Sequence, residues 1–225
     1  MSPYILLATA LVIMGIIAWL WQYGETRGEP ARLFLAWLSL SAVTAVIAAA
    51  GMWIEDPTVS LSFTAAARTY SMIIVFLLFI FARSFSSPAD FTLLFWSLPL
   101  QFGMAVVILN WQHMFRLSGD MWILDMGSPF AITTVAVSWF YSILALAYAA
   151  ILYLTLRREG REKEKERTMI MIAAIAVLLV ASGIRGSVSG AVGYAITIGY
   201  LGHLAGVLLL VWAFRGPIKL RPAGR

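Results

Sequence analysis

The chain has 225 residues, 61% of them hydrophobic and 12% charged, with a mean hydropathy of +0.88, too little polar surface to clothe a water-soluble globule. Its lack of cysteine excludes disulfides, thiol catalysis, iron–sulfur clusters and thiolate metal sites, and His113 and His203 alone leave little for haem or zinc ligation. The net charge of +5 sits in basic residues that bracket apolar runs, which reads as membrane topology and not as nucleic-acid binding, so no cofactor and no metal is expected and the lipid bilayer is the first partner.

A helix crossing hydrocarbon needs ~20 mostly apolar residues. Such runs lie near 4–23, 33–53, 64–82, 91–110, 131–156, 168–184 and 190–214. The expected fold is an all-α bundle of seven transmembrane helices with a short basic tail over 215–225. The first run is too long and uninterrupted, and too poor in basic residues at its start, for a cleaved leader. Glu55 and Asp56 follow the second run, and Arg68 opens the third. Pro99 interrupts the fourth, one turn from Gly103, a place for a kink or a hinge.

Between the fourth and fifth runs lies WQHMFRLSGDMWILDMGSPF, Trp111 to Phe130, too long for a minimal turn. DMWIL between two glycine-containing turns fits a short hairpin or an interfacial lid over the bundle mouth. The segment carries His113, Arg116, Asp120, Trp122 and Asp125. With Arg68, Asn110 and Arg185 these are candidates for a polar ligand site roofed by aromatics; salt bridges that hold the loops are an equally weighted reading. The spacing of Asp120 and Asp125 matches no calcium loop or acid–base pair. Trp19, Trp21, Trp53, Trp111, Trp122 and Trp212 fall near span ends, as interfacial anchors do.

Inside the runs the polar candidates are Gln101, Tyr141 and His203, with Thr133, Thr134, Ser138 and Tyr148 beside them. After the fifth run, RREGREKEKERT pairs charges at helical spacing, Glu159 with Lys163 for example, and extends the fifth or sixth helix. Arg157, Arg158, Arg161, Lys163, Lys165 and Arg167 form a positive-inside anchor there, or a docking surface for a cytoplasmic partner or anionic headgroups. Orientation follows from the lysines and arginines. Thirteen of the sixteen fall on one side: Arg27, Arg32, Arg83, the six between Arg157 and Arg167, and four from Arg215 onward. Arg68, Arg116 and Arg185 fall on the other. The amino terminus is therefore expected outside and the carboxyl terminus in the cytoplasm, in the inner (plasma) membrane.

The seventh run places Ser189 and His203 among small residues, a local likeness to the Ser/His dyad of rhomboid proteases. On one helix, however, 14 residues separate them by ~21 Å along the axis, out of reach for proton transfer. The small residues Ala191, Ala195, Gly199, Gly202 and Gly206 instead form a stripe that lets helices approach closely, within the bundle or between copies or subunits of a larger complex. No lysine in this run can hold retinal as a Schiff base.

The order of features resembles the amino-terminal seven-transmembrane sensor region of bacterial and archaeal histidine kinases. The likeness rests on RGEPARLFLAWLSLSAVTAVIAAAGMWIE, FLLFIFARSF, ILNWQHMF, the long loop and SWFYSILALAYAAILYL, about six of the seven spans. It implies a non-enzymatic input module that perceives a ligand or membrane state at its outer face and passes a helix rearrangement to a cytoplasmic partner. Asn110 and His113 then occupy the family's outer Asn/His position. A small transporter or channel, or an accessory subunit of a membrane complex, is the competing expectation. An enzyme acting on lipid would need acidic residues in a cavity, and all eleven lie at span ends or in loops.

Overall fold

In the computed structural model the described residues are 3–22, 28–85, 91–118, 121–187 and 192–213, without the side chains of residues 121, 182–187 and 192–197. They form seven α-helices: α1 (Pro3–Gln22), α2 (Glu29–Trp53), α3 (Pro57–Arg83), α4 (Thr92–Asn110), α5 (Pro129–Arg158), α6 (Glu162–Ser187) and α7 (Val192–Ala213). A 3₁₀ turn, Trp111–His113, and two short strands, β1 (Phe115–Ser118) and β2 (Met121–Leu124), lie between α4 and α5. Helices α1 to α5 are each long and apolar enough to cross a membrane, and α7 contributes a shorter apolar stretch, Ile198–Ala213. The basic tail, with Ser189 and Ala191, falls outside the described residues.

Local chemistry explains the helix limits. At the start of α3 the Asp56 carboxylate accepts from the backbone N–H of Thr58 at 2.8 Å and of Val59 at 3.1 Å, with Pro57 in the first helical position. That cap starts the helix seven residues before the apolar run, because a satisfied N-terminus needs no hydrophobic side chain. Pro129 likewise takes the first helical position of α5, where Ser128 makes no side-chain cap bond. Between α5 and α6 the chain reverses through Gly160 at φ 68°, where the Arg161 N–H reaches Leu156 O at 3.0 Å and the Gly160 N–H reaches Arg157 O at 3.3 Å. This pair of bonds closes the last turn of a helix when its following residue is left-handed. Gly160→Ala is expected to cost about 1 kcal/mol, read as a lower unfolding midpoint with an unchanged circular dichroism spectrum at low temperature.

Opposite charges reinforce this reversal. Arg161 pairs with Glu164 at 3.0 Å and with Glu159 at 3.4 Å, and Lys165 pairs with Glu162. The hydrogen bond from Arg161 holds the Glu164 carboxyl below the usual glutamate range, and the Glu162 contact holds the Lys165 ammonium up. Arg157, Arg158 and Lys163 are exposed.

Six helices pack as a ring in the order α1, α2, α3, α5, α6, α7, closed by α7 against α1, and α4 lies outside it against α3 and α5. Close contacts use small residues. A Cβ on Gly202 would stand 2.9 Å from the Ala181 Cβ, and one on Gly206 would stand 2.6 Å from the Leu178 Cγ. These two glycines of the small-residue stripe therefore face α6 of the same chain, and that part of the stripe is occupied within the bundle. Outward faces are apolar: Phe95, Leu98, Phe102, Ile108 and Leu109 of α4 are exposed, a surface compatible with lipid. Trp21, Trp53 and Trp212 are exposed near helix ends.

Candidate functional site: a roofed polar cavity

Hydroxyl side chains within the apolar helices are satisfied locally. Thr9, Ser41, Thr44, Ser71, Ser138 and Ser142 each donate to the carbonyl four residues earlier, at 2.7 to 2.9 Å. The proton is thereby spent on the helix, and the oxygen keeps its lone pairs for the interior. All six oxygens belong to residues lining one cavity of about 100 Å³ at the centre of the ring. Trp37, Arg68, Tyr200 and His203 line it too, and Ile13, Ile74, Val75, Leu78, Ile175 and Leu178 make its apolar wall.

Arg68 is half-buried and is the twelfth of the 27 residues of α3. Its Nε donates to Thr134 Oγ1 and its Nη2 to Ser138 Oγ, both at 3.2 Å. Both oxygens are neutral acceptors, and together they orient the plane of the guanidinium. His203 lies with its ring centroid 6.0 Å from that of Trp37.

A second cavity of about 190 Å³ lies towards the β1–β2 end. It shares Ala48, Ala67, Arg68, Ser71 and Tyr200 with the first, so Arg68 stands where the two meet. Its roof is the hairpin expected from DMWIL. Phe115 pairs with Leu124, Arg116 with Ile123, Leu117 with Trp122 and Ser118 with Met121 in antiparallel register, and Phe115, Trp122, Ile123 and Leu124 line the cavity. Met114 and Phe115, where the hairpin begins, are buried. The Asp125 N–H bonds to Met114 O at 2.9 Å and closes the hairpin base.

The residues expected to bind ligand thus divide. Arg68 and Trp122 meet in the roofed cavity, and His203 joins Arg68 in the central one. His113 and Arg116 are exposed on the rim. Asn110 turns back to Val106 O at 3.3 Å, and Asp125 Oδ1 accepts from the Gly127 N–H at 3.1 Å to hold a turn. Asp120 and the Arg185 side chain lie outside the described residues. Gln101 is exposed on α4 and bonds Ser97, away from either cavity. Tyr141 is fully buried, and its hydroxyl both accepts from the Leu100 N–H at 2.9 Å and donates to Trp96 O. Its role is to join α5 to α4.

Sequence reasoning missed Trp37, Ser41, Thr44, Ser71 and Tyr200. The signal was present as spacing. Trp37 and Ser41, Ser41 and Thr44, Arg68 and Ser71, Ser138 and Ser142, and Tyr200 and His203 are three or four residues apart. Four helices therefore carry polar pairs on a single face inside apolar runs. Among the described residues no cluster of three metal-ligating side chains occurs. Comparison with protein-family models, with curated proteins and with solved structures finds no match.

Proposed function

We propose that the chain is a seven-span, non-enzymatic sensor of the inner membrane. Its amino terminus and hairpin face outward, and its charged α5–α6 turn and basic tail face the cytoplasm. The observation that carries this reading is the pair of adjoining cavities beneath the hairpin, with Arg68 at their junction. A solute entering under β1 and β2 touches α2, α3 and α7 at once. Preference for one relative placement of those helices shifts the population of bundle states, and the shift is presented to a cytoplasmic partner at the turn that carries Arg157, Arg158 and Lys163. The six serine and threonine hydroxyls around the cavity support a binding role over a catalytic one, since each gives its proton to its own helix and not to a base.

With no native cysteine, the chain accepts paired spin labels at Glu29→Cys and Arg158→Cys. In nanodiscs, the distance between them is expected to change on addition of a polar small molecule drawn from a periplasmic metabolite panel, and to stay fixed in Arg68→Gln. Solute flux through liposomes, without any change in that distance, would replace this reading with the small transporter or channel. Labelling of a cysteine at Lys163 from outside the cell would overturn the orientation.

A further inference from the structure

Among the described residues, one of those lining the central cavity carries a buried donor with no partner. Trp37 is 1% exposed, and its Nε1–H has no hydrogen-bond partner among the described residues. An indole N–H usually finds an acceptor when buried, and leaving it without one is unfavourable. The same cavity holds the Arg68 guanidinium, fixed by Thr134 and Ser138, whose planar fork matches a carboxylate in two parallel bonds. The rest of the wall is mixed, with serine and threonine hydroxyls on one part and Ile74, Leu78 and Ile175 on another. We infer that the central cavity binds a short-chain monocarboxylate, with its carboxylate at Arg68, the Trp37 N–H as a second donor, and its alkyl end against Ile74, Leu78 and Ile175. This deepens the sensor reading and rests on it.

Size and charge narrow the class. A cavity of ~150 Å³ accepts a benzene ring, so one of about 100 Å³ suits a molecule of roughly four to six heavy atoms, such as propionate. A long acyl chain does not fit. In this pose a dicarboxylate would bring its second charge against Ile74, Leu78 and Ile175, where an unpaired charge is strongly disfavoured.

The test uses the full chain in nanodiscs with ¹⁵N-labelled tryptophan, whose nine indole signals are read by NMR. The signal lost in Trp37→Phe identifies Trp37. Propionate is expected to move that signal saturably, with a Kd of roughly 0.1–1 mM for five heavy atoms, while propionamide and propylammonium leave it in place. Arg68→Gln is expected to weaken propionate at least tenfold. Arg68→Lys, which keeps the charge and loses the fork, is expected to weaken it severalfold and serves if the glutamine variant does not fold. An equal response to propionamide, an unaltered titration in both Arg68 variants, or no response at ten times the expected Kd would overturn the proposal and leave a merely hydrated cavity. The spin-label distance separates the two readings. Propionate binding without a distance change removes the sensor and keeps the site, whereas a distance change with another solute but no propionate binding does the reverse.

Discussion

Gly206→Val is expected to destabilise the bundle by about 3 kcal/mol and Gly206→Ala by about half as much, measured as shifts in the unfolding midpoint in mixed micelles. Two effects compete at this position. Alanine favours a helix over glycine by ~1 kcal/mol, which would stabilise α7 if space were open. Space is not open: a Cβ would meet the Leu178 Cγ at 2.6 Å, the Leu178 Cδ2 at 2.8 Å and the Ala174 carbonyl oxygen at 3.3 Å. The carbonyl belongs to the α6 backbone and cannot rotate away, so the two helices must separate. Steric repulsion outweighs propensity because α7 packs on α6 along its length, and that displacement spreads towards Gly202 and Ala181. Leu178→Ala supplies the control. Alone it is destabilising by cavity formation; combined with Gly206→Ala it removes the nearer clash, and the double variant should be more stable than the sum of the single effects by at least 1 kcal/mol. Strict additivity would mean that the two helices do not touch through these residues. A matching stability for Gly206→Ala and the parent would mean the same.

Helix positions were legible because hydrocarbon imposes a length and a composition that few other constraints imitate. Ends were less so. The start of α3 at Pro57 depends on Asp56, a polar residue that a search for apolar runs discards, and the separation of α5 from α6 depends on one left-handed glycine within a charged stretch. The hairpin was legible from its turn residues. The site was only half legible. His203 stood out as an ionisable group inside an apolar run and Arg68 as a charge opening another, whereas serines and a tryptophan are common in membrane helices, and only their meeting across four helices places them on one cavity. Asn110 and Asp125 show the converse. Each is polar and well placed on the chain, yet each spends its side chain on nearby backbone.

The remaining large effect is expected at Tyr141. Its substitution by phenylalanine should lower stability by about 2 kcal/mol, although the change removes a single oxygen from a fully buried ring. In an unbroken helix the Leu100 N–H would bond to Trp96 O. Pro99 lies between them; its ring presses on the carbonyl four residues before it and opens this turn of α4. The Tyr141 hydroxyl fills the opening, accepting from Leu100 and donating to Trp96, and Phe76, Phe79 and Phe140 pack around its ring. Phenylalanine keeps the packing and loses both bonds at once, in a setting with no bulk water to replace them. Interhelical hydrogen bonds in membranes are often worth less than 1 kcal/mol because the separated helices find other partners. Here the separated partner is a proline-opened turn that cannot close on itself, which argues for the larger figure. Pro99→Ala tests that cause. In the Pro99→Ala background α4 can restore the bond from Leu100 to Trp96, so Tyr141→Phe should then lose less than half of its effect. An undiminished effect there would assign the stability of Tyr141 to its aromatic neighbours and leave the opened turn without a role.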